Sequence, residues 1–134
     1  MGTWREVEHT ADLAIWVCGC DLSDLFTSAA QAMMSLMARP DESAQPVTLG
    51  VCLDSYDLEA LLVDWLNELL YLSERHNVVF TAIDIRRMEG TSLEAQLGGY
   101  PIARRLRGIK AATYHELEIE RTAEGLCTQI VFDV

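Results

Sequence analysis

Apolar residues recur along the chain with two periods. From Leu22 to Met37, the residues Leu22, Leu25, Phe26, Ala29, Ala30, Met33, Leu36 and Met37 have the spacing of one helical face. Asp21 is placed to cap this helix. Asp24, three residues later, puts a favourable charge in its first turn, and Pro40 lies just beyond its end. Met33, Met34 and Met37 read as core packing rather than as an adaptable binding groove. A second helix is predicted from about Tyr56 to Arg75, with a broad stripe of Leu58, Leu61, Leu62, Trp65, Leu66, Leu69 and Leu70. Asp54 or Ser55 is its expected cap, and Asp57, Glu59, Asp64 and Glu68 line the remaining, solvated face.

Elsewhere the period shortens to two. Strands are expected at Leu13 to Cys18, Val47 to Leu53, Val78 to Arg87, Leu93 to Leu97 and Cys127 to Asp133. Thr113 to Arg121 alternates clearly, with His115, Leu117 and Ile119 on one side and Tyr114, Glu116, Glu118 and Glu120 on the other. Gly98-Gly99 and Glu124-Gly125 are expected turns, and Arg39 to Pro46 an expected loop. The order strand, helix, strand, helix, then a run of strands predicts an α+β fold. Two helices should pack on one face of a mostly antiparallel β-sheet, in two layers. No repeat or low-complexity segment divides the chain, so residues 1–134 are expected to form one domain.

Composition narrows the setting. With 134 residues, half of them hydrophobic and 23% charged, the chain can bury a core without staples. Its longest apolar-rich stretch, Leu58 to Leu72, is interrupted by Glu59, Asp64, Asn67 and Glu68, so no membrane span is expected. The first residues lack the basic and apolar regions of a signal peptide, and a cytoplasmic location is the expectation. The formal charge is -11, from 10 basic and 21 acidic residues. That balance disfavours RNA as the main direct partner, because phosphate binding needs a basic face. It suits a basic protein partner, a cation, or simple solubility. The four cysteines, Cys18, Cys20, Cys52 and Cys127, form no C-x-x-C pair and read as small buried hydrophobes in a reducing compartment.

Enzyme motifs are absent. There is no phosphate-binding glycine loop, no dinucleotide fingerprint, no nucleophile elbow and no H-E-x-x-H helix. His9, His76 and His115 are scattered and assemble no triad on sequence grounds. Two places hold candidate chemistry. Glu8-His9-Thr10-Ala11-Asp12 ends where the strand Leu13-Ala14-Ile15-Trp16-Val17 begins; it reads either as a turn bonded to its own backbone or as a site. At the other end, the Asp133 side chain and the carboxylate of Val134 are two anionic oxygen groups one residue apart, a ligand set for a hard cation such as Ca²⁺ or Mg²⁺.

Four segments taken together resemble the archease family. They are Glu8 to Asp12, the helix containing Asp57 to Leu62 and Trp65 to Leu72, the run Ile109-Lys110-Ala111-Ala112-Thr113-Tyr114-His115, and the ending Phe132-Asp133-Val134. They occur in the family's order and span nearly the whole chain; Gly98 to Arg107 is less typical. The resemblance implies a protein activator, itself not an enzyme, of an RtcB-type RNA ligase that joins RNA ends in tRNA splicing and RNA repair. Such a ligase forms a guanylylated histidine using GTP and a divalent metal. The activator speeds that step and supports multiple turnovers, meeting RNA and GTP only through the ligase. The resemblance also implies a metal site at Asp12, Asp133 and the carboxylate of Val134, holding calcium or another hard cation. It implies a role in partner activation for Lys110, and places His9 and His115 around the metal ligands.

Two other function classes fit parts of the chain. A general chaperone, or a modulator of another nucleic-acid-processing enzyme, would use the acidic surface and the methionine-bearing helix. A metal-dependent hydrolase would use the same carboxylates with His9 or His115 as general base, but no nucleophile or phosphate motif supports it.

Overall fold

A computed structural model describes residues 2–8 and 12–134. β1 (Thr3–Val7) and β2 (Leu13–Gly19) precede α1 (Leu22–Met37). Then come β3 (Ala38–Pro40), β4 (Val47–Asp54) and α2 (Leu58–His76). The chain finishes with β5 (Val78–Glu89), β6 (Ser92–Arg105), β7 (Ala111–Ala112), β8 (Glu120–Thr122) and β9 (Gly125–Asp133). The α+β expectation holds. One sheet runs β1-β2-β9-β7, with β8 also on β9; the other has β6 at its centre, between β5 and the consecutive β4 and β3. All of these pairings are antiparallel. No helix among the described residues is long and apolar enough to cross a membrane.

The helices form where the apolar stripes predict. Asp21 caps α1, accepting from Asp24 N–H at 2.8 Å, while the Asp24 carboxylate reaches back to Cys20 N–H at 2.8 Å. Met33 and Met34 are buried, as core packing requires. The α2 cap is Asp57, which accepts from Ala60 N–H at 2.7 Å. Asp54 and Ser55 do not cap it. Asp54 is held in the β4 ladder opposite Ser92, Ser55 N–H bonds Thr91 O, and the Ser55 hydroxyl donates to Asp64. Asn77 ends α2 in a left-handed conformation (φ 54°), which asparagine tolerates better than most side chains. Trp65, Phe26, Phe80, Phe132 and Ile15 are fully buried in the core between helices and sheets. Trp65 also donates its indole N–H to Phe26 O at 3.0 Å, so the core's largest side chain leaves no buried donor unpaired while tying α2 to α1.

Four further expectations are corrected. Thr113 to Arg121 is not a strand: only Glu120 and Arg121 join β8. The chain turns at Tyr114 to Leu117, where Leu117 N–H bonds Tyr114 O and Glu116 takes a left-handed φ of 54°. Leu117 and Ile119 alternate because the loop drapes them onto the core, not because it is pleated. Gly98 and Gly99 are not a turn but lie inside β6, opposite Thr48 and Val47. A Cβ on Gly99 would stand 2.4 Å from Val79 O, so glycine serves close strand approach beside the β5 bulge. The hairpin reverses instead at Gly90, with φ +57°. Nor are the cysteines all buried thiols. Cys18 and Cys127 face each other across β2 and β9 and form a disulfide, whereas Cys20 and Cys52 are free and exposed. Finally, Arg39 to Pro46 begins with the short β3 rather than a loop.

Candidate functional site

β2 and β9 run side by side, and their ladder ends at Leu13 opposite Phe132. Both of these side chains enter the core. Alternation therefore turns the next residue on each strand away from it. Asp12 is the exposed residue just before the ladder begins at Leu13, and Asp133 is the exposed residue just after Phe132, so both stand at this end of the paired strands. They line a common depression of about 370 Å³ with Thr113, His115 and Val131. Asp12 also borders a second depression, of about 310 Å³, whose wall includes Val134, Glu6, Arg107 and Gly108. Arg107 is paired there with Glu6 at 3.2 Å.

The other side of β9 carries β7. Its register sets Ala111 opposite Asp133 and Ala112 opposite Phe132. Lys110, just before β7, donates its backbone N–H to Asp133 O at 2.7 Å. The same lysine borders a third hollow, together with Tyr71 and Glu74 of α2. The residues named by the sequence thus meet at one end of the first sheet: Asp12 before β2, Asp133 and Val134 at the end of β9, and Lys110 beside β7. His115 joins Asp12 and Asp133 at the wall of their depression. His9 lies outside the described residues.

The acceptors here are oxygens, the donor type that hard cations take. Among the described residues no three His, Cys, Asp or Glu side chains converge closely enough to hold a metal. Next to His115, the phenol of Tyr114 is pushed above the usual tyrosine range, by burial first and then by the Asp64 carboxylate and Tyr56.

The family model described as the Archease protein family (MTH1598/TM1083) matches residues 4–134. The chain belongs to the archease family. Protein archease of Methanosarcina acetivorans is 41% identical over 139 residues, covering 98% of this chain and 95% of that one. Protein archease of Methanosarcina mazei is 40% identical over 139 residues, with the same coverage. Among solved structures, an archease of Thermotoga maritima, described as a "possible chaperone", superposes with a TM-score of 0.71 at 26% identity, covering 97% of this chain and 96% of that one.

Several side chains that support this end of the archease fold are not singled out by the sequence reading. Asn67, on α2, bonds both polar groups of Ala112. Arg107 and Glu6 close the wall beside Asp12, and Thr113 bonds Val131 O through its hydroxyl at 2.8 Å. Asn67 left one trace in the sequence. An asparagine in the middle of an amphipathic helix is a poor helix former, and its side chain seeks backbone elsewhere.

Proposed function

We propose that this archease-family protein activates an RtcB-type RNA ligase, promoting the ligase's GTP-dependent guanylylation and multiple turnover, and is not itself an enzyme. Asp12, Asp133 and the carboxylate of Val134 would hold a divalent cation, calcium or another hard cation, whose chemistry there is to gather anionic oxygens. The observation that carries the reading is the meeting of Asp12 and Asp133 at the ends of paired strands, with Val134 beside Asp12 and Lys110 tied to Asp133. Converging carboxylates repel unless a cation or a proton offsets them. Lys110 takes a different part. An ammonium group has no lone pair for a metal, so its role is to contact an anionic or carbonyl group of the ligase, its GTP or its RNA. Nothing in this reading requires a basic RNA-binding face, in keeping with the net charge of -11.

The test adds the protein to its cognate ligase under limiting GTP. Faster ligase guanylylation, lost in Asp12→Ala and in Lys110→Ala, is the expected result. An unchanged rate with the wild-type protein refutes the reading. A general chaperone, or a modulator of another nucleic-acid-processing enzyme, is the second reading, favoured by the description of the Thermotoga relative. It requires suppression of aggregation of unrelated clients, independent of Asp12.

A further inference from the structure

β7 is two residues long and pairs with one strand only. Such a short edge element holds its place weakly unless its outer side is also bonded. On the β9 side, Lys110 N–H bonds Asp133 O at 2.7 Å and Thr113 N–H bonds Val131 O at 3.0 Å. Between them, Ala112 turns its own N–H and C=O toward α2. Both find Asn67. Ala112 N–H donates to Asn67 Oδ1 at 2.8 Å, and Asn67 Nδ2 donates to Ala112 O at 3.2 Å. The carboxamide occupies the place a further strand would have filled. Its orientation is unambiguous, because an N–H can only meet the amide oxygen.

The bond joins a rigid body to a weak one. Asn67 lies in the middle of the 19-residue α2, between the buried Leu66 and the half-buried Glu68, and α2 is anchored by the fully buried Trp65. Two residues before Ala112 stands Lys110, one of ten basic residues and the sole lysine of the chain. We infer that Asn67 is a positioning residue: its amide clamps Ala112 and thereby fixes the Lys110 segment against Asp133. The inference rests on the functional role proposed for Lys110. No other side chain of similar size supplies both halves of the clamp. Aspartate keeps the acceptor for Ala112 N–H but sets a carboxylate oxygen against Ala112 O, and leucine fills the space with neither bond.

Having a single lysine makes the test direct. Reductive ¹³C-methylation labels Lys110 and the α-amino group, and the Lys110 signal is identified as the one missing from Lys110→Ala. Wild type, Asn67→Asp and Asn67→Leu are compared by amide exchange at Ala112, by the Lys110 methyl resonance, and by ligase guanylylation, alone and combined with Lys110→Ala. In Asn67→Leu, protection at Ala112 is expected to fall about tenfold or more while the α2 core amides keep theirs, and in both variants the Lys110 resonance is expected to shift. Activation should fall as it does in Lys110→Ala, and the double variant should fall no further, because the two changes remove one function; independent structural damage would multiply. An unprotected Ala112 amide in the wild type overturns the inference without any variant. So do an unmoved Lys110 resonance in both variants, or losses that multiply. A wild-type protein that leaves the ligase unstimulated refutes the activator reading instead, and exchange and resonance then decide the clamp by themselves.

Discussion

Lys110 and Asp133 are joined through the main chain: the Lys110 N–H donates to the Asp133 carbonyl at 2.7 Å. This bond sets the lysine one step from the aspartate without using either side chain. The proposed cation-binding and partner-contacting roles can therefore be separated by substitution, and the first three predictions use that separation.

Asp12→Ala is expected to weaken divalent-cation binding by about tenfold or more, since one of few anionic ligands is lost, while the fold persists. Asp12 is exposed and stands outside the β2 ladder, so its side chain supports no core packing. Isothermal calorimetry with Ca²⁺ checks it, and equal affinity in mutant and wild type removes Asp12 from the site.

Lys110→Ala is expected to abolish most ligase activation yet leave cation affinity within about twofold, because the backbone bond to Asp133 survives the substitution. Paired calorimetry and guanylylation assays report the two quantities separately. Loss of cation binding would show that the lysine supports the metal site itself.

At Val134 the carboxylate should matter more than the side chain. Val134 is 45% exposed, so Val134→Ala removes little buried surface and is expected to cost well under about 1 kcal/mol. A C-terminal extension converts the carboxylate to a neutral amide and is expected to lower cation affinity much further. Wild-type affinity in the extended protein leaves only Asp12 and Asp133 as ligands.

Reduction of the Cys18–Cys127 disulfide is expected to destabilise the fold. The bond closes a loop with a sequence separation of 109, for which chain-entropy arguments give an upper figure of about 4–5 kcal/mol. Urea unfolding with and without reductant, and of Cys18→Ser, measures the effect. Coincident midpoints for oxidised and reduced protein would mean that the cross-link contributes nothing.

Acid should loosen the start of α1 at Asp24. Burial pushes this carboxyl up, but the backbone N–H and the thiol of Cys20, the α-amino charge and the Gly2 N–H together outweigh it and hold the pKa below the ordinary carboxylate value. A folded-state pKa below the unfolded one adds stability above the unfolded value, and that stability is lost as pH falls through the folded value. The prediction is that Asp24→Asn reduces stability at neutral pH and flattens its decline below about pH 4. Parallel acid titrations of the two proteins that keep the same slope would contradict it.

Helical periodicity sufficed for α1 to the residue, and for α2 to within two residues at its start and one at its end, because an apolar stripe repeating every three or four positions lines one face of a helix and neither face of a strand. The strands Leu13–Gly19 and Val47–Asp54 were legible for the same reason at period two. At Thr113 to Arg121 periodicity misled, since a loop laid on a core alternates just as a strand does. Gly98-Gly99 misled too: a glycine pair marks a turn or a close approach equally well, and only the position of Val79 O decides which.

By itself, then, the sequence determined the helices, most strands, the family, and which acids and lysine were candidates, because each depends on local order or on a motif read in line. Only the tertiary structure decided that β2 and β9 are neighbours. That pairing brings Asp12 and Asp133 to the wall of one depression and joins Cys18 to Cys127, residues more than a hundred positions apart. It also decided that Asn67 on α2 takes both bonds of Ala112. Register between distant strands is selected by which faces bury together across the whole core, and no segment contains that information alone.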